Sequence, residues 1–320
     1  MSNRFDNKRL LYILGVLVLF LILTVLIKIP KERATLKDKI IEFDSTQVST
    51  IILNSKATAG KTIEFKKSNG KWNVSQGTIE SASRQAEVEN IIIEIMSIKP
   101  QNLVSKNKAK WADFEVTDST GTRIKFLNNK GKTLADLIVG KFSYKQINNQ
   151  PGMYGRNSIE GTSYVRLAGE NEVYGVDGFL SLSFNRGFNE WRDNTLVAFN
   201  RNDITSIKYL YPADSSYTLV NSNSKWMIGN MQADSAKVAG FISSLCSATG
   251  QDFDDNFKPD VNPDFQMVIE GNNLLSISVK CFKKPDGSYI LNSSINPQIY
   301  FSSKPDGAYR RIFKSKKDLI

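Results

Sequence analysis

A β-rich α+β fold is predicted here: an N-terminal transmembrane helix, then two tandem modules of antiparallel strands with one main helix each. Three features of the sequence predict it. One is an uncharged apolar run near the N-terminus, another is a pentapeptide written almost identically at Ser68–Trp72 (SNGKW) and Ser222–Trp226 (SNSKW), and the third is alternating apolar patterning around both pentapeptides. Trp occurs only four times in the 320 residues, so two in one context point to a duplication.

From Leu10 to Ile27 the chain reads LLYILGVLVLFLILTVLI, without a charge. A spanning helix needs about 20 apolar residues and a cleaved signal core only about 7–15. The run therefore predicts an uncleaved signal-anchor over 10–29, between a short tail at 1–9 and a linker at 30–43. Arg4, Lys8 and Arg9 precede it, while Lys28, Lys31, Arg33, Lys37 and Lys39 follow. Simple counting of those charges would hold the carboxyl side in the cytoplasm, but long domains cross largely regardless of charge. The expectation is one span in the inner (cytoplasmic) membrane, with the bulk of the chain extracytoplasmic.

The first module is expected over 44–199 and the second over 200–320. Each opens with two short alternating runs, VSTIIL and KTIEFKK in one, ITSIKYL and YTLVNSN in the other. The SNG and SNS turns follow, and Trp72 or Trp226 opens a third strand. A helix comes next, with matched apolar positions: Ala86, Val88, Ile91, Ile92 and Ile95 against Ala236, Val238, Phe241, Ile242 and Leu245. Asp234 is placed to cap the second helix. Hairpins follow in TRIKFLNNKGKTLADLIVGKF and SYVRLAGENEVYGV, answered by LLSISVKCFKKPDGSYIL and NPQIYFSS. Both Lys-Pro-Asp-Gly segments, Lys284–Gly287 and Lys304–Gly307, read as turns. The two Trp residues read as core pillars covering their helices, the indole N–H left for a backbone carbonyl.

Composition narrows the chemistry. The chain has no histidine, which removes imidazole bases and Ser-His or Cys-His pairs. Cys246 and Cys281 occupy apolar slots and read as buried free thiols; no spacing rule supports a bridge between them. Asp252, Asp254, Asp255, Asp260 and Asp264 crowd one stretch, but the EF-hand pattern fails at Phe257 and Pro263, and a solvated loop is expected. The GKT triplets at Gly60–Thr62 and Gly131–Thr133 lack the upstream Gly of a phosphate loop. The net charge of +10 is spread along the chain without the aromatic interleaving of a single-strand binder, so no nucleic acid is expected. The basic C-terminus, YRRIFKSKKDLI, could touch anionic lipid or an acidic partner; a frayed end is expected instead. No catalytic, cofactor-binding or metal-ligating residue is assigned.

The segments DSTQVSTIIL, SNGKW, LIVGKF, SYVRLAGENEVYGV and FNEWRDNTLVAFNRNDITSIKYL resemble the bacterial family called domain of unknown function 4340, over roughly Asp44 to Leu210. Trp191-Arg192-Asp193, followed by a strand at Ile204 and Ile207, is the most specific part. The resemblance implies an extracytoplasmic domain behind one helix, linked to ABC-type transport and to auxiliary components of gliding-motility machinery. It carries no catalytic residue to this chain. Read physically, Trp191 fills the join between the copies and the adjacent Arg192 and Asp193 brace it as a pair.

These readings lead to a non-catalytic, membrane-anchored accessory or scaffold protein of an envelope complex, with protein partners. The alternative is a binding module for an anionic envelope polymer or glycan, and the third reading is a carboxylate-based hydrolase.

Overall fold

The computed structural model describes residues 12–21, 39–147 and 158–320. Residues 12–21 are helical, and this segment is labelled α1. Among the described residues no helix is long and apolar enough to cross a membrane. The rest of the expected span at 10–29, the tail at 1–9 and the linker up to residue 38 lie outside the described residues.

The chain divides into two compact units, 1–64 with 89–187 and 65–88 with 188–320. Its strands form two nine-stranded sheets. The first is built from β1 (Val48–Asn54), β2 (Ile63–Ser68), β3 (Lys71–Gln76), β4 (Ile79–Ala82), β5 (Pro100–Ser105), β6 (Thr122–Asn128), β7 (Thr133–Ile147), β8 (Ser158–Leu167) and β9 (Val173–Asp177). Helix α2 (Gln85–Met96) lies between β4 and β5, and the short helices α3 (Leu180–Phe184) and α4 (Phe188–Trp191) follow β9. The second is built from β10 (Ile204–Leu210), β11 (Tyr217–Ser222), β12 (Lys225–Ile228), β13 (Met231–Gln232), β14 (Asp252–Phe253), β15 (Phe265–Gly271), β16 (Leu274–Lys283), β17 (Tyr289–Ser293) and β18 (Tyr300–Ser303). Helix α5 (Ser235–Leu245) lies between β13 and β14, and α6 (Ala308–Ile312) follows β18.

The strand orders are β4-β3-β2-β1-β6-β7-β8-β9-β5 and β13-β12-β11-β10-β15-β16-β17-β18-β14. Counting nine strands on converts one into the other, so the duplicated object is the whole sheet with its crossover helix. Register agrees as well. Ile51 faces Phe126 and Leu53 faces Ile124 in the first copy, as Ile207 faces Ile269 and Tyr209 faces Met267 in the second. The same irregularity recurs between Val48 and Thr50 and between Ile204 and Ser206. A bulge re-aims a strand, and its recurrence at the same ladder position is stronger evidence of duplication than the pentapeptide.

Each copy opens with a four-stranded meander rather than three strands, and the chain after each helix returns to pair with β9 or β18 at the far edge. The sequence hides these return strands. β5 starts with Pro100 and lacks alternation, while β14 is two residues inside an acidic stretch. The helix stripes bury Val88, Ile91, Ile92 and Ile95, and Val238, Phe241, Ile242 and Leu245. Ala86 and Ala236 are exposed, both in the first turn. Asp234 caps α5 by accepting from Ala236 N and Lys237 N at 2.8 and 3.0 Å.

Each Trp anchors the entry to its helix through the main chain: Ser83 N donates to Trp72 O, and Ala233 N to Trp226 O. Trp72 is fully buried, and Trp226 is partly buried against the second core. The Trp72 indole N–H is buried and meets no acceptor among the described residues, contrary to expectation.

The end of each copy also returns to its helix. Arg84 N donates to Trp191 O at 3.0 Å, and Asp234 N to Leu319 O at 2.8 Å. The basic C-terminus is therefore docked and not frayed. Ile312, Phe313 and Leu319 are buried, and Ser315 and Asp318 form a capping box over the last turn. The alternation of cations with apolar residues there seats the apolar ones in the core and leaves the charges outside.

Candidate functional site

Both copies have a concavity at the same point of the fold, framed by the loop after the first strand, the start of the β6 or β15 strand, and the helix that follows the last strand. In the first copy it holds about 220 Å³ and is lined by Lys56, Glu115, Thr122, Gly140, Ser181 and Asn185, among others. In the second it holds about 980 Å³, and its walls include Tyr211, Phe265, Tyr309, Phe313, Arg310, Lys316 and Lys317. Register and main-chain bonds equate the positions. Thr122 faces Val139 as Phe265 faces Cys281. Helices α3 and α6 align end to end, setting Ser181 against Tyr309 and Asn185 against Phe313. Ser55 Oγ donates to Arg186 O at 3.0 Å, and at the same place Tyr211 Oη donates to Lys314 O at 2.8 Å.

The first concavity is small because the segment before β6 lies over it. Lys141 N donates to Phe114 O, and a Cβ on Gly140 would stand 2.1 Å from that oxygen. Only glycine admits this approach. Lys56 Nζ pairs with the Glu115 carboxylate at the rim. In the second copy the position of Gly140 is taken by Phe282, which packs on Phe257 at 5.2 Å and leaves the concavity open.

The second concavity is held by rings. Tyr309 stacks on Tyr289 at 3.7 Å between centroids and on Phe313 at 5.4 Å, and Phe265 meets Tyr211 edge-on at 5.6 Å. Tyr209, Tyr211 and Tyr217 donate their hydroxyls to the carbonyls of Ile312, Lys314 and Lys314, clamping the C-terminal segment. Burial raises the pKa of all three hydroxyls and of Tyr309, so they remain protonated. Asp318 accepts from Ser315 N and Oγ at 2.7 and 2.8 Å. Those bonds, with Lys314 and Arg310 nearby, outweigh the opposing desolvation and hold its carboxyl below the usual carboxylate range. Arg310 and Lys317 are exposed at the rim.

The acidic stretch resolves into separate duties. Asp255 forms a bidentate pair with Arg192, at 2.9 and 2.5 Å. Asp254 accepts from Phe257 N and sits 3.5 Å from Lys284 Nζ, and Asp264 accepts from Lys283 N at 2.7 Å. Among the described residues no group of three or more Cys, Asp or Glu is placed to hold a metal ion. Arg192 thus braces against Asp255 and not against the neighbouring Asp193, because adjacent extended residues point to opposite sides. Its guanidinium is 2% exposed, lies 3.9 Å over the Phe253 ring and reaches Asn189 Oδ1 at 3.1 Å. Asp193 instead caps a turn at Thr195 N. Both cysteines are free: Cys281 lies buried under the second concavity, its thiol pushed up by desolvation, and Cys246 is half-buried at the end of α5.

The ring-and-cation concavity could not be read from the sequence, since its members come from four separated stretches. The signal available was the clustering of Tyr and Phe in KYLYP, DF and YRRIF, together with their absence at the matching places in the first copy.

Neither a curated protein nor a solved structure matches the chain. The family comparison starts and ends later than the resemblance read from the sequence, and it straddles the end of the first copy and the meander and helix of the second. Residues 153–264, which include Trp191-Arg192-Asp193, match the family described as Domain of unknown function (DUF4340).

Proposed function

We propose that the chain is a non-catalytic accessory or scaffold protein of a bacterial envelope complex, of the kind that accompanies an ABC-type transporter. One N-terminal span would hold it in the membrane with the bulk of the chain outside the cytoplasm. The observation that supports this is the chemistry of the large concavity. The Tyr211 hydroxyl and the Asp318 carboxylate are engaged by Lys314 O and by Ser315, and the walls otherwise present ring surface, Arg310, Lys316, Lys317 and the Asp214 carboxylate. Such a mixture of rings and surface charges supports contact with a partner. The uncharged run from Leu10 to Ile27 supports the anchor, and tethering raises the effective concentration of whatever the modules contact.

The test is purification of the tagged full-length protein in mild detergent with crosslinking. Recovery in a membrane complex is expected. A lone monomer under several gentle conditions, with hydrolysis of an envelope substrate abolished by one Asp or Glu substitution, would overturn the reading in favour of an enzyme.

A further inference from the structure

The first copy carries a feature that the second lacks. β7 and β8 have 15 and 10 residues, whereas β16 and β17, at the same places, have 10 and 5. The second hairpin closes early, with Lys284 N donating to Ser288 O at 2.8 Å. In the first, β6 accompanies β7 only as far as Val139 and β9 accompanies β8 only from Thr162 onward, while β7 and β8 stay paired out to Ile147 and Ser158. From Phe142 the two strands therefore leave the sheet as a two-stranded ribbon.

One face of the ribbon is apolar and exposed. Phe142 and Tyr144 are two residues apart, and Tyr144 and Gln146 stand opposite Gly161 and Ile159, so Phe142, Tyr144 and Ile159 share that face. Phe179 lies over Gly161, where a Cβ would stand 2.6 Å from its ring, and meets Phe142 edge-on at 5.2 Å. Leu182 follows one turn later, its N donating to Phe179 O. Tyr144, Ile159 and Leu182 are 70%, 59% and 62% exposed. At the places of Phe142, Phe179 and Leu182 the second copy has Lys284, Gly307 and Arg310, and its shorter hairpin has turned before reaching the other two. The fold does not require this apolar face, and a contiguous one marks a contact surface.

The edge beside that face is unpaired. Among the described residues, nothing follows β7 beyond Val139 on the β6 side except the bond from Lys141 N to Phe114 O, so the ladder from Phe142 to Ile147 has a vacant side. On the β8 side Gly161 O is already taken by Gly178 N. Exposed Lys141 and Lys145 lie along the β7 edge; Glu115 is held by Lys56, and Glu160 is on the far strand. A second copy pairing through the same edge would set lysine beside lysine, which is how sheet edges avoid self-association. A lipid surface fits no better, because the ribbon leaves the sheet beyond Thr122, at the opposite end from Val48, where the chain from the apolar run enters β1. A vacant ladder flanked by an apolar face and cations is the complement of a strand that alternates apolar residues with carboxylates.

We infer that the first copy docks an extended segment of a partner protein, which adds as a strand to β7 along residues 142–147, seats alternate apolar side chains on Tyr144, Phe142 and Leu182, and brings carboxylates to Lys141 and Lys145. The inference rests on the accessory reading in taking the ligand to be a protein, and it names the surface and the chemistry of that contact.

The experiment titrates full-length protein in mild detergent with three fluorescent hexapeptides: Val-Glu-Val-Glu-Val-Glu, the same peptide with every amide N-methylated, and Val-Lys-Val-Lys-Val-Lys. The first should bind, more weakly as salt rises, and should slow amide hydrogen exchange in residues 142–147 while leaving 289–293 unchanged. Tyr144→Ser with Leu182→Arg, the latter installing the second copy's residue, should weaken binding by about tenfold or more. Lys141→Gln with Lys145→Gln, both at exposed positions, should weaken it by about threefold or more. Leu275→Ser, at an exposed site of the second copy, should leave affinity unchanged. The inference is overturned if the Val-Glu peptide fails to bind, if the methylated or the Val-Lys peptide binds equally well, or if neither double variant changes affinity. A disulfide-linked dimer formed by Ser143→Cys in the unliganded protein would assign the edge to a second copy and overturn it as well. The two readings fail separately: a membrane complex recovered with protein that ignores the peptide counts against the strand site, and a lone monomer that binds the peptide as described supports the site and counts against the accessory role.

Discussion

The two copies share one backbone plan and use it differently. In the first, Gly140 lets the main chain near Phe114 lie down on β7, and a Lys56–Glu115 pair closes the rim over a space of about 220 Å³. In the second, Phe282 occupies the Gly140 position, and the site stands open at about 980 Å³ behind rings and cations. Register and closing bonds are the same in both, so they belong to the fold. The side chains that differ at equal positions set the size and lining of the concavity without altering the fold. Duplication here supplies an internal control that a single module lacks.

The sharpest way to break the comparison is at the paired tryptophans. Trp72 is 1% exposed and Trp226 only partly buried, although both carbonyls hold equivalent helix-entry bonds. Trp72→Ala should cost about 3–5 kcal/mol and Trp226→Ala about half of that or less, measured by denaturant unfolding. Equal losses would mean that the two pillars carry the same load and that burial is not what separates them.

The ends of the copies offer the next test. At the matching places stand Arg192, clasped by Asp255, and Ile320, whose main-chain oxygen accepts from the exposed Lys237 ammonium. Asp255→Ala leaves a buried guanidinium without its partner and should destabilise by about 3 kcal/mol. Adding Arg192→Met should recover part of the loss, because the uncompensated charge leaves with it. Lys237→Ala should cost less than about 1 kcal/mol. If the double variant is no more stable than Asp255→Ala alone, the clasp acts through packing on Phe253 and not through charge.

The smallest effect concerns the helix entries. Asp234 caps α5, whereas Arg84 stands at the same place before α2 and gives its Nε–H to Arg192 O. The bond from Lys237 N, ahead of that from Ala236 N, lowers the Asp234 carboxyl from its ordinary 3.8. A depressed acid contributes stability that is present above its unfolded value and lost as pH falls through its folded one. Melting curves between pH 7 and pH 3 should therefore show Asp234→Ala lowering Tm at pH 7, with the gap to the parent closing below about pH 3.8. A gap that stays constant across that range would assign the effect to helix propensity alone.

Much of the fold was legible because its signals are local. Alternation marks the strands from Val48 to Asn54 and from Ile204 to Leu210, spacing marks the two helix stripes, and Asp234 announces its helix. Hidden elements were those whose partners are distant: β5 and β14 exist only because β9 and β18 offer an edge. The basic C-terminus looked like a solvated tail because charge dominates its composition. Its order comes from carbonyls that accept from Tyr209, Tyr211 and Tyr217, about a hundred residues earlier.

The sequence by itself determined the duplication, the β-rich class, the helix faces and the turn chemistry, since each depends on residues within a few positions of one another. Tertiary structure alone decided that Arg192 takes Asp255 and not Asp193, that the acidic stretch is divided among separate ion pairs and backbone bonds, and that rings from four stretches converge on one cluster. Those outcomes depend on which backbone segments are brought within hydrogen-bonding or van der Waals reach, and chain closure across tens of residues sets that distance without leaving a local pattern to read.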